Sequence, residues 1–246
     1  MMLKAQTGGW CLIILAIIAG VQLQENERSV QPASEPHVYR PALQPTETAP
    51  PIGTYKHVGK SCIKATMGVQ YIIIEKKKAW YYNLEPSRVR TGGSCGEEAA
   101  VLSLTLPDNA ARLQLTFRKK GNMFYVYNLT AHVSPLPVCQ GCSNKTYSGV
   151  LTNGKLFAAA DGLSFKCESE NLLLTSPELR IRLVPLQIQA FTVLKGPYGK
   201  EVECWADFTK RVIPIILGAT VVGLFLIALT TFLFIKDRHR EGYDRL

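Results

Sequence analysis

An exported all-β domain, held by disulfides and followed by one membrane-spanning helix, is the architecture this sequence predicts. Three observations carry it. Short apolar runs repeat with period two, six cysteines lie between two apolar ends, and one 24-residue stretch carries no charge. The chain has 246 residues, 47% of them hydrophobic and 19% charged, with a formal net charge of +9. That is too apolar for a disordered chain. Without its two apolar ends it holds about one domain of soluble length, which argues against a cytosolic multidomain enzyme.

Residues 1–22 read as a secretory signal. Lys4 is its one charged side chain, and an apolar run from Trp10 to Val21 follows. That run is too short to cross a bilayer comfortably, so cleavage is expected in preference to an uncleaved anchor. Residues 23–53 read as a linker. Pro32, Pro36, Pro41, Pro45, Pro50 and Pro51, with Ser and Thr between them, are expected to keep it extended and without a core of its own.

Residues 54–208 carry the β pattern. Leu102, Leu104 and Leu106 alternate with polar residues, as do Leu113, Leu115 and Phe117. Gly121-Asn122 is expected to turn the chain into Met123–Tyr127. Ile181 and Leu183 alternate with arginines, and after Pro185 the apolar positions become Leu186, Ile188 and Ala190. Such runs predict antiparallel sheet with one wet face. Two basic runs, Lys76-Lys77-Lys78 and Arg118-Lys119-Lys120, are read as solvated hairpin ends rather than polyanion sites. No nucleic-acid-binding pattern is present, and no nucleic-acid partner is expected.

Cys11 falls in the leader, which leaves Cys62, Cys95, Cys139, Cys142, Cys167 and Cys204. An even number in an exported domain implies disulfides, and spacing alone does not choose among the 15 connectivities. Cys139-Gln-Gly-Cys142 is read as a structural bridge: a redox pair needs a βαβ setting, and zinc needs further soft ligands nearby. No metal and no cofactor is expected. Asn128-Leu-Thr130 and Asn144-Lys-Thr146 are N-glycosylation sequons, both expected near turns.

Val212–Ile235 is long enough to span lipid with some tilt, and residues 236–246 form a polar tail on the other side. With a signal in front, the domain is expected on the non-cytosolic side. The tail ends Gly242-Tyr243-Asp244-Arg245-Leu246, a Y-x-x-Φ peptide. An aromatic ring and an aliphatic group about 10 Å apart along an extended strand suit a groove with two pockets. No H-E-x-x-H occurs, so no enzyme is expected.

Several segments together resemble the lysosome-associated membrane glycoprotein family. They are C-I-K-A-T-M-G-V-Q from Cys62, T-G-G-S-C ending at Cys95 and F-R-K-K-G-N-M-F-Y from Phe117. L-S-F-K-C ending at Cys167, L-V-P-L-Q-I-Q-A-F from Leu183, I-P-I-I-L-G entering the span and the final G-Y-x-x-Φ complete the set. The organisation is that of the single-luminal-domain members. The resemblance implies a β-prism-like luminal domain and disulfides Cys62–Cys95 and Cys167–Cys204. It further implies a type I glycoprotein of lysosomal and late endosomal membranes. Its tail would give Tyr243 and Leu246 to the medium subunits of clathrin adaptors. Cys139 and Cys142 are extra to the family pattern, and two sequons are few for it. A cell-surface adhesion or receptor protein, using its tail for internalisation, is the alternative. No luminal partner is named by either reading.

Overall fold

The structure, a computed structural model, describes residues 38–56, 62–138, 142, 144–193 and 196–243, with the side chains of Asn153, Leu174 and residues 237–243 outside that description. The chain divides into two units at Val38/Tyr39, and the second unit carries the two sheets and the long helix. The predicted signal lies outside the described residues.

Two sheets face each other. The first takes β1 (Ile52–Lys56), β2 (Ile63–Glu75), β3 (Lys78–Asn83), β9 (Ser164–Cys167), β10 (Asn171–Leu174), β11 (Leu179–Ala190) and β12 (Glu201–Glu203). Its main order is β1-β2-β11-β9-β12, with β3 on β2 and β10 on β11. The second is a meander of β4 (Arg90–Cys95), β5 (Ala99–Thr105), β6 (Ala111–Lys120), β7 (Met123–Val133) and β8 (Tyr147–Ala160). The pairings are antiparallel except β12 on β9. Helix α1 (Trp205–Tyr243) follows β12 after Cys204.

The predicted alternation places the core. Leu102, Leu104, Leu113, Leu115 and Phe117 of the meander bury against Val69, Tyr71, Ile73, Ile181, Leu183 and Ile188 of the other sheet in one cluster. Strand periods break where the sequence changes phase. In β7 the inward residues run Phe124, Val126 and then Leu129, Ala131, Val133. A bulge between the Asn128–Thr116 and Val126–Phe117 pairs supplies the extra residue. In β11 the phase slips between Leu183 and Leu186, at the cis Val184–Pro185 bond, where the register also shifts. Pro185 has no N–H for a ladder, and a bulge tolerates that. Gly121-Asn122 forms the expected turn, and both basic runs sit at hairpin ends: Lys76-Lys77 between β2 and β3, Arg118–Lys120 at the end of β6.

Two expectations need correction. The Pro-rich stretch from residue 39 is not a free linker. It docks as an extended strap across both sheets, and its end runs into β1. Gln44 exchanges backbone hydrogen bonds with Tyr81, both 2.8 Å. Tyr39 N–H donates to Asp108 Oδ2 at 2.7 Å, and Leu136 N–H to the Pro41 carbonyl at 2.9 Å. The composition argument fails here because proline-fixed extended backbone still offers carbonyls that a neighbouring strand can use.

The second correction concerns the wet face. Beneath the strap the outer side of β2 is dry. Gln70 is fully buried; its Nε2 donates to Thr48 O and Asn83 Oδ1 at 2.8 Å each, and its Oε1 accepts from Arg182 at 3.1 Å. Arg182 in turn pairs with Glu47 of the strap. Gly68 lies under Pro50, where an added Cβ would come within 2.4 Å of the Val184 carbonyl. Gln189 of β11 is likewise buried, held by Gly162 O, Thr192 O and Gly199 N. Each buried amide is satisfied, as a dry interior demands.

Asp161, just after β8, ties the meander to the chain beyond β11. Its carboxylate pairs with Lys119 and accepts from Thr192 N–H at 3.2 Å. Burial alone would raise its pKa, but the Lys119 and Thr192 hydrogen bonds outweigh it and hold the carboxyl below its usual value of 3.8. A depressed carboxyl adds stability that is present above the unfolded pKa and lost as pH falls through the folded one. Asp161→Asn is therefore expected to cost about 1–2 kcal/mol at neutral pH. The gap to wild type should hold through mildly acidic pH and close only below about 3.8; denaturant melts across pH measure it. Phe117→Ala empties a fully buried site in the centre of the core and should cost about 3–5 kcal/mol by the same melts.

Candidate functional site: the junction of the β domain and the long helix

Cys62–Cys95 joins the residue before β2 to the end of β4, and so one sheet to the other; its Cα atoms are 5.9 Å apart. Cys167–Cys204 joins the end of β9 to the residue before α1, with Cα atoms 5.1 Å apart. Both pairings match the expectation. Cys142 is disulfide-bonded, and Cys139, its expected partner, lies outside the described residues. Cys167, Cys204 and Asp207 approach as a metal site would, within 4.8 Å of one another. Their sulfurs are already bonded to each other, so they offer no thiolate.

The second disulfide is the covalent part of a dense junction. Glu201–Glu203 pairs in parallel with Ser164–Lys166, and Cys204 N–H donates to the Lys166 carbonyl at 2.9 Å. Phe208 N–H then reaches the Cys204 carbonyl at 3.1 Å, which starts the helix directly. Asp207 in the first turn accepts Glu168 N–H at 2.5 Å on Oδ2 and Ser169 N–H at 2.9 Å on Oδ1. Burial pushes its pKa up, but those hydrogen bonds and Lys210 bring the net below the ordinary value. Lys210 donates to Ser169 Oγ at 2.8 Å, and Arg211 grips Glu203 with two bonds of 3.0 and 2.7 Å. The planar guanidinium suits that two-oxygen grip. Apart from the two cysteines, none of these junction residues is among the sites expected from the sequence. The signal is present there all the same: an acidic residue in the first turn of a run that becomes apolar marks a helix start.

From the junction α1 runs on without domain contact. Trp205–Lys236 is long and apolar enough to cross a membrane, and none of its most apolar stretch is buried. Ile215, Leu224 and Phe234 are 65%, 68% and 76% exposed. At about 1.5 Å per residue, its 32 residues reach about 48 Å. Thr220, Thr230 and Thr231 turn their hydroxyls back onto carbonyls of the preceding turn, so none needs a partner in lipid. Gly223 has open space around it.

Gly242 and Tyr243 are still helical at the end of α1, whereas an extended segment is expected from the sequence; Leu246 lies outside the described residues. Asn144 is exposed, and its side-chain oxygen accepts from Arg40 of the strap. Asn128 differs from expectation. It sits mid-strand in β7, between Thr116 and Thr152, rather than beside a turn. It is half-buried, and its Oδ1 has no partner. The β7 bulge explains the misplacement, because period counting across Tyr127-Asn128 fails and mimics a strand end.

Residues 40–205 match the family model for lysosome-associated membrane glycoprotein 2-like luminal domains. Human lysosome-associated membrane glycoprotein 3 is 31% identical over 225 residues, 89% of this chain and 51% of that protein. Lysosome-associated membrane glycoprotein 2 of Cricetulus griseus is 28% identical over 220 residues, 88% of this chain and 52% of that one. The chain thus spans about half the length of these curated relatives. The crystal structure of human LAMP-3 superposes with a TM-score of 0.56 at 30% identity, over 63% of this chain and 99% of that one. The membrane-proximal domain of mouse LAMP-1 gives 0.55 at 25%, over 64% and 99%. The family model spans both disulfides and both sheets, and the chain belongs to the lysosome-associated membrane glycoprotein family.

Proposed function

We propose that this protein is a non-catalytic type I glycoprotein of lysosomal and late endosomal membranes, delivered there by its tail. The observation that carries the reading is a family luminal domain joined to one apolar helix and then to Gly242-Tyr243-Asp244-Arg245-Leu246. The medium subunit of a clathrin adaptor is the partner that suits a Tyr and a Leu three residues apart. One pocket takes the ring and grips its hydroxyl; the other takes the aliphatic group.

Binding of that kind needs extended backbone, and α1 is helical through Tyr243. A terminal turn or two of helix is marginal in water, and Gly242 weakens it further. Unwinding the last turns is therefore a small cost against two filled pockets. Phosphorylation of Tyr243 would add bulk and charge, and should block the fit.

On the luminal side, Asn144 and Asn128 are the proposed glycan acceptors. Exposed Asn144 suits full occupancy, and half-buried Asn128 suits partial occupancy. No reacting role is proposed for His132, whose Nε2 is engaged with the Asn109 carbonyl at 3.1 Å.

Tyr243→Ala is expected to shift the protein from lysosomes to the cell surface, seen by imaging a luminally tagged fusion beside surface biotinylation. Unchanged lysosomal residence in that variant would reject tail-driven sorting. Wild type mostly at the surface would favour the adhesion or receptor reading. Asn144→Gln should remove one full glycan step on a gel, and Asn128→Gln a fractional one. N-glycosidase treatment should bring wild type and both variants to one mobility.

A further inference from the structure

The first turns of α1 present two opposite faces. At about 100° per residue, Asp207, Lys210 and Arg211 fall on one side. Each is bonded to the domain: Asp207 to Glu168 and Ser169, Lys210 to Ser169, Arg211 to Glu203. Trp205 and Phe208 fall on the other side, in line with Val212, Ile215 and Ile216. The two rings stack, 5.6 Å between centroids and 29° between planes. They are nonetheless 76% and 40% exposed.

The face they share does not end in water. It continues into Ile215 and Ile216, which are 65% and 56% exposed within the apolar stretch. Phe208 lies about 6 Å and Trp205 about 10 Å outside Val212 along the axis. The interfacial layer on each side of a bilayer is about 5–8 Å deep. A stretch of 24 residues is about 36 Å long against a core of about 30 Å, and tilting takes up the surplus. Tilting toward the aromatic face lowers both rings into the headgroup layer. There an indole finds apolar contact for its ring and a wet partner for its N–H. The cations at this end are turned the other way, onto Ser169 and Glu203.

We propose that Trp205 and Phe208 form a lipid-docking surface, which lodges in the headgroup layer of the bilayer that α1 enters. Because the opposite face of the same turns is bonded to the β domain, docking seats the domain directly on the membrane instead of on a free stalk. The inference rests on reading α1 as a membrane span.

The test uses full-length protein in phosphatidylcholine vesicles, wild type beside Trp205→Phe. Subtracting the two emission spectra isolates Trp205 from the other tryptophans. Lipids brominated near the top of the acyl chains should quench the Trp205 emission more than lipids brominated deep in the chain, and more than aqueous iodide. Phe208→Ala should raise iodide access to Trp205. Emission quenched by iodide and untouched by bromolipid would overturn the proposal, as would no response to Phe208→Ala. Alkaline carbonate extraction of the same vesicles separates the two failures. Protein washed off shows that the span reading has failed; protein retained with an iodide-quenched Trp205 shows that docking alone has.

Discussion

The antiparallel pairing of β2 with β11 is the constraint on which the β domain turns. It joins residues far apart in sequence, from Leu179–Ile73 at one end to Ala190–Ile63 at the other. It forms the middle of its sheet and is covered on both sides at its centre. On one side the meander supplies Leu102, Leu115 and Phe117. On the other the strap and the chain after β11 supply hydrogen-bond partners for Gln70 and Gln189. A pair of strands dry on both faces cannot keep a simple in–out alternation of apolar and polar residues. That is why these two amides lie inside, and why the strap belongs to the domain.

The same sheet sets the exit of the chain. β9 pairs with β11, β12 pairs with β9, and Cys204 follows β12 with a bond back to Cys167. The domain therefore hands the chain to α1 at one defined place. Asp207, Lys210 and Arg211 extend that attachment into the helix itself. A domain on a loose tether could turn freely about it; this one is bonded to the turns that lead into the apolar stretch. The Asp207 carboxyl, charged at any pH well above its ordinary value of 3.8, is held lower still by its hydrogen bonds, so the link keeps its charge under mildly acidic conditions. The lysosomal setting proposed for the protein asks that of a luminal fold.

Much of this is legible in the residues. Leu102, Leu113 and Phe117 are buried where period two puts them, and the basic runs lie at hairpin ends. Even the phase change at Pro185 is visible as a slip in the apolar spacing. What escapes the sequence does so for one kind of reason. The strap reads as linker because composition reports core-forming capacity and not docking. Asn128 reads as near a turn because a bulge hides inside a strand's period. The Asp207 cluster goes unseen because Glu168 and Ser169 are distant in sequence and meet the helix only once β12 has paired with β9.

The sequence alone determined the strand-rich class, the long apolar stretch near the end, the cysteine complement and the family, since each is written in local spacing or in contiguous motifs. Tertiary structure alone decided which face of β2 stays dry, where the strap lies and how the helix is held. Those depend on side chains many residues apart, brought together only once β2 and β11 have paired.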